Sequence, residues 1–204
     1  MSETHAALRL RWLELCATAS LDGEAQWEVI ASSHGEPDRA YHNLKHVRDC
    51  LEQLDQAPES PTDPLSLEFA IWFHDLIYDT HASDNEERSA EAAAGFLQDV
   101  TMSESVVSII LSTQHKKTPE HQDAQLMCDI DLSILGRDST TYDRYANKIR
   151  EEYAWVSEED YRNGRRKVLQ HFLNRAQLYS LPSFVGNYEE QARINLQQEL
   201  AHLS

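Results

Sequence analysis

Four ionisable side chains, far apart in the chain, form the order His46 … His74-Asp75 … Asp131. Two imidazoles and two carboxylates make a mixed nitrogen and oxygen donor set suited to a divalent metal. The dipeptide alone carries no weight, because 10 His and 15 Asp in 204 residues supply roughly 0.7 such pairs by chance. Its setting carries the information. It lies in Phe69-Ala-Ile-Trp-Phe-His-Asp-Leu-Ile-Tyr78, a helical stretch apolar on nearly every side and therefore expected to be buried. Ionisable groups in such a place need an ion-pair partner, a hydrogen bond or a metal.

Other residues with chemical capacity cluster around these. Tyr41-His42-Asn43-Leu44-Lys45-His46 spaces two histidines by four, one face of a helix if the segment is already helical there. His46 lies deeper, beside Val47, and is the stronger ligand candidate; His42 is open between a ligand, a neighbour of one, and a capping or packing residue. His74 and Asp75 diverge by about 100° around a helix axis, yet both can grip an ion placed beside the helix near its end. Asp129 and Asp131, two apart, point to nearly opposite sides, so one of them is expected to reach the site, with Asp131 preferred. His115 precedes Lys116 and Lys117; it suits substrate, a second metal, or a helix C-terminal dipole. Glu86 and Glu87 are either a general base and its neighbour or a solvated helix start. Basic residues in Lys148-Ile-Arg150 and Arg162-Asn-Gly-Arg165-Arg-Lys167 read as surface ion pairs, some of them placed to line a phosphate pocket.

The elements that must position these groups are helices. Apolar spacings of three and four predict helices over about 5–18, 23–33, 42–56 and 65–78. A helix ending near Val100 follows, with Ser83 and Glu86 matching a capping box. Ser103 opens the next, over Val106–Thr113; others run over Ala124–Leu135, ended by Gly136, then about 140–155, 157–179 with Ser157 as cap, and 186–202 after Pro182. No alternating strand pattern, repeat or low-complexity tract interrupts them. The expected architecture is all-α, one domain over 1–204, with a core of about 10–180 and a C-terminal helix. Three scattered cysteines, Cys16, Cys50 and Cys128, and an N-terminus without a secretory pattern lead to an expectation of a reduced, cytoplasmic setting. No apolar run approaches a membrane span. A net charge of −17 repels a phosphate backbone, which argues against duplex nucleic acid as a partner. A small anionic substrate would need a local nest of cations. Trp12, Trp27 and Trp155 fit core or interface equally, so the oligomeric state stays open, a homodimer included.

On these residues the chain resembles the HD-domain superfamily, and most closely its small stand-alone group of predicted metal-dependent HD phosphohydrolases. The likeness is carried by Arg39-Ala-Tyr-His-Asn-Leu-Lys-His46, Trp72-Phe-His-Asp-Leu-Ile-Tyr-Asp79, Asp84-Asn-Glu-Glu-Arg-Ser-Ala90 and Asp129-Ile-Asp-Leu-Ser-Ile-Leu-Gly136. Ile149-Arg-Glu-Glu-Tyr153 and Gly164-Arg-Arg-Lys-Val-Leu169 continue it, so that it covers roughly 10–180. The resemblance implies an HD-like helical bundle with a metal held by His46, His74, Asp75 and Asp131, and hydrolysis of a phosphate ester or anhydride. Imidazole and carboxylate together suit Mn²⁺, Fe²⁺, Co²⁺, Ni²⁺ or Zn²⁺, with Mg²⁺ less favoured. The expected base is Asp75, Glu86 or Glu87; Arg39, His42, Lys45, His115 and Lys116 are the expected contacts to a small phosphorylated substrate, a nucleotide foremost. Two alternatives stand beside this: a di-iron oxygenase on the same fold, for which His115 and His42 are the only obvious additional histidines, and a non-catalytic nucleotide-binding protein.

Overall fold

A computed structural model describes residues 3–203, so Met1, Ser2 and Ser204 lie outside the description. The helices run α1 (Glu3–Thr18), α2 (Glu24–Ser33), α3 (Leu44–Gln56), α4 (Pro64–Phe73), α5 (Asn85–Phe96), α6 (Val100–Ser112) and α7 (Gln122–Leu132). A 3-10 turn (Ser133–Gly136) leads to α8 (Ser139–Glu152), α9 (Glu158–Leu173) and α10 (Pro182–His202). Among the described residues there is no strand, and no helix is long and apolar enough to cross a membrane.

Helix α4 forms the centre because its sequence leaves it no solvent face. Leu67, Phe69, Ala70, Ile71, Trp72 and Phe73 are all fully buried, and α1, α3, α5, α6 and α7 pack around them. Trp12 of α1 meets Phe69, Trp72 and Phe73 edge-on at 5.6–5.9 Å between ring centroids. Each such ring contributes about 1.5–3 kcal/mol by leaving water. Trp12 and Trp27 are therefore core residues, whereas Trp155 is 54% exposed.

Several boundaries differ from the sequence reading, and caps explain them. Asn43 accepts the Lys45 N–H, so α3 begins after His42 rather than at it. Asp99 accepts the Met102 N–H and starts α6 at Val100; the preceding helix accordingly stops at Phe96. Asp84, not Ser83, stands at the start of α5, and no side-chain capping bond forms there. Ser157 does cap α9, bonded reciprocally with Asp160, but that helix ends at Leu173. Pro182 occupies the first turn of α10, where its missing N–H needs no partner.

Buried carboxylates tie the connections down. Asp123 of α7 accepts the Thr62 and Asp63 N–H groups just ahead of α4. Asp129 accepts the Ser180 and Leu181 N–H groups ahead of α10. Gly136 has a stricter role than ending a helix: a Cβ there would lie 2.5 Å from the Tyr188 Cβ and 2.6 Å from its carbonyl oxygen on α10. Backbone cannot yield as a flexible side chain would. Gly136→Ala is expected to lower unfolding free energy by about 1–3 kcal/mol, read by urea denaturation; an unchanged midpoint would contradict this packing.

Candidate metal centre and its two cavities

The α4 helix ends at the point the chemistry needs. His74 is its C-cap, with its N–H still bonded to the Ala70 carbonyl, and Asp75 begins the turn that follows. Departure from the helix lets neighbouring side chains converge. Arg39 fixes this departure: its guanidinium donates to the Asp75 and Leu76 carbonyls at 2.6 and 3.0 Å, and to Glu36. Only 5% exposed, Arg39 clamps the His-Asp turn, and it lines neither of the two cavities beside the cluster.

Four donor atoms meet beside that turn. His46 Nε2 lies 3.2 Å from His74 Nε2, 3.5 Å from Asp75 Oδ2 and 3.1 Å from Asp131 Oδ1. His74 Nε2 is 3.1 Å from Asp75 Oδ2 and 3.9 Å from Asp131 Oδ1. Donors sharing one ion through ~2.1 Å bonds stand about 3–3.4 Å apart at the corners of an octahedron or tetrahedron. The tautomer fits as well. His74 Nδ1 donates to the Ile71 carbonyl at 2.9 Å, which leaves the Nε2 lone pair facing the cluster when the ring is neutral.

Cys50 was missed by the sequence reading. Its Sγ is 3.8 Å from both ring nitrogens of His46, and the donor atoms of His46, Cys50, His74 and Asp131 all lie within 4.8 Å of one another. The signal was present: Cys50 is four residues beyond His46, on the same face of α3. Burial pushes its thiol well above the ordinary value, with the nearby carboxylates adding to the shift. Only a cation would make it a thiolate here.

The same charges hold one another in place. Burial opposes ionisation of Asp131, but hydrogen bonds from His115 and His46 hold it well below the usual carboxylate range. Burial likewise works against Asp75, and His74, His42 and His46 overcome it. Burial would lower His74, yet Asp75 and Asp131 raise it to about 9. Asp129 does not reach the cluster; burial raises it to about 6 against its backbone hydrogen bonds. His115 Nε2 sits 2.8 Å from Asp131 Oδ2 and is raised to about 10, burial notwithstanding, mainly by that bond. Its backbone is left-handed at φ 52°, and its carbonyl accepts from Arg175 and from His171.

Two cavities flank the cluster, sharing Tyr41, Asp131, Ile134 and Tyr145 as a common wall. The first, about 200 Å³, is lined by His42, Asp75, Tyr78, Glu86, His115 and Phe172 among others. The second, about 450 Å³, opens from His46, Cys50 and Asp131. Of the two expected glutamates only Glu86 lines a cavity, raised by burial and by Asp75 and Glu87. Glu87 instead accepts from Gln114 at 2.6 Å. Lys45 is exposed, paired with Asp49, and lines the larger cavity. Lys116 is exposed on the turn after His115 and lines neither cavity.

Glu152, from α8, reads from the sequence as a surface ion-pair partner of the nearby basic residues, but the structure buries it beside the site. It is 4% exposed and accepts from the Tyr41 and His42 N–H groups, His42 Nδ1 and the Tyr78 hydroxyl. His42 stacks on Tyr78 at 4.1 Å, and with Nδ1 committed to Glu152 its Nε2 is the nitrogen left for the cavity. No protein-family model, curated protein or solved structure matches this chain. Function must therefore be argued from the site.

Burial would lower His42, but Glu152 raises it above 6.5. Glu152, which burial would raise, is held below 4.5 by His42 and the two backbone bonds. The histidine's contribution is full below 6.5 and fades as pH rises through its higher folded value. The glutamate's is full above 4.5 and fades as pH falls through its lower folded value. Glu152→Ala is thus expected to reduce unfolding free energy most between pH 4.5 and 6.5, by about 3–5 kcal/mol. A deficit that does not vary with pH in denaturation curves would refute the pairing.

Proposed function

We propose that this protein is a metal-dependent phosphohydrolase of HD type, cleaving an ester or anhydride of a small phosphorylated metabolite, with nucleotides the best-suited class. The observation that carries this reading is the meeting of His46 with His74, Asp75 and Asp131, each 3.1–3.5 Å from its Nε2, at the wall between two cavities. His46, His74, Asp75 and Asp131 would hold the ion, and Cys50 beside them favours a borderline or soft metal such as Zn²⁺ or Fe²⁺ over Mg²⁺. Such an ion supplies a bound water of lowered pKa and neutralises charge on a phosphoryl oxygen.

The remaining work falls to side chains of this chain. Either Glu86 or Asp75, both on the smaller cavity's wall, accepts the proton of the attacking water. As the water oxygen bonds to phosphorus, the bond to the leaving oxygen breaks. His42, whose protonated form Glu152 favours, gives its Nε2 proton to that oxygen. Glu152 acts through His42 and is a positioning residue. His115 holds the outer oxygen of Asp131, directing the other oxygen to the cluster.

Elemental analysis of purified protein, coupled to phosphate release from a panel of mononucleotides and sugar phosphates, tests the reading. One transition metal per chain with phosphate release is the expected result. His74→Ala should retain its fold by circular dichroism and fall below about one hundredth of wild-type turnover, since neighbours of ligands alone carry 10–100-fold effects. Full activity in that variant would sink the proposal. Two irons per chain with O₂ consumption would replace it by the oxygenase reading.

A further inference from the structure

Cations are scarce here, yet five of the 18 line one groove. The chain has 18 Lys and Arg against 35 Asp and Glu, so a basic side chain on a random part of the surface finds a carboxylate easily. Lys45 and Arg48 from α3, Arg137 after the 3-10 turn, and Arg144 and Lys148 from α8 nevertheless line one groove. Besides Asp131 of the donor cluster, only Asp49 and Glu52 offset them along its wall. Lys45 and Arg48 share Asp49, and Arg48 also reaches Glu52. Arg144 donates only to neutral groups, the Thr140 carbonyl and the Thr141 hydroxyl, while Asp138, outside the groove's lining, attracts it and Arg137 at longer range. Arg137 and Lys148 have no side-chain ion pair or hydrogen bond among the described residues.

This is a surplus of positive charge in a concave space, and the space leads inward to His46, Cys50 and Asp131. Its volume, about 450 Å³, is that of a small-molecule site. Guanidinium forks and ammonium groups from facing helices suit closely spaced phosphates better than a single carboxylate. The opposite cavity is of another kind: beyond the shared Tyr41 and Tyr145 it is walled by Tyr78 and Phe172, with Arg165 as the one Lys or Arg in its lining.

We propose that the groove between α3 and α8 binds a second anionic arm of the substrate, a run of phosphates extending outward from the reacting phosphoryl group. Substrates with two or more phosphates are then preferred over monophosphates. This deepens the phosphohydrolase reading and rests on it for the placement of the reacting group, but it makes its own claim about binding.

Calorimetry on the full chain, with its divalent ion in excess over the probe, compares inorganic orthophosphate with inorganic tripolyphosphate. Wild type should bind tripolyphosphate at least about tenfold more tightly, the scale of one charge-assisted hydrogen bond. In Arg144→Gln/Lys148→Gln that ratio should fall towards one; Arg137→Gln, tested separately, should reduce it in case the double variant melts early. Equal affinities in wild type, or a ratio untouched in both variants, would overturn the groove assignment. The two proposals fail separately. Tripolyphosphate preference without phosphate release from any ester would remove hydrolysis and leave the groove. Release from monophosphates with no preference would do the reverse.

Discussion

The candidate site depends on mutual neutralisation at one point where the helices meet. Asp75 and Asp131 keep their charge among apolar helices because imidazoles face them, and the same carboxylates favour a proton on His74. Remove one partner and the rest become uncompensated charges in a medium that solvates them poorly. Each helix around the cluster can be understood by what it contributes to that balance. α3 brings His46 and Cys50, the end of α4 brings His74 and Asp75, and α7 brings Asp131.

A surrounding set of polar locks keeps the donors in register. Arg39 grips the turn after α4, Asp129 anchors the link ahead of α10, and Glu152 gathers the segment just before α3. None of these residues is a donor, yet each ties a neighbouring segment to an element that carries one or to the turn beside it. Well-ordered sites are built in this way, from supports as much as from ligands.

Helix periodicity made the all-α architecture legible, and full burial of α4 could be read from residues 69–73, which have no polar side. The alternation between Asp129 and Asp131 was also legible, because two residues along a helix turn a side chain to the far side; they do diverge, one to backbone N–H groups and one to the histidines. Arg39 was not legible. Its charge suggested phosphate, but the deciding fact is two carbonyls 36 and 37 residues away. Glu152 was hidden for the same reason, since its partners lie 74 to 111 residues distant. Cap positions slipped wherever several Asp, Ser and Asn stood close together, as at Ser83 and Asp84, because local sequence offers competing acceptors and tertiary packing chooses among them.

His115 adopts a backbone conformation that side chains with a Cβ avoid, at an expense on the order of 1 kcal/mol. What keeps it there is a grip on its carbonyl from Arg175 and His171, at and just beyond the end of α9. The end of α9 thus braces, through a backbone carbonyl, the residue whose ring meets Asp131.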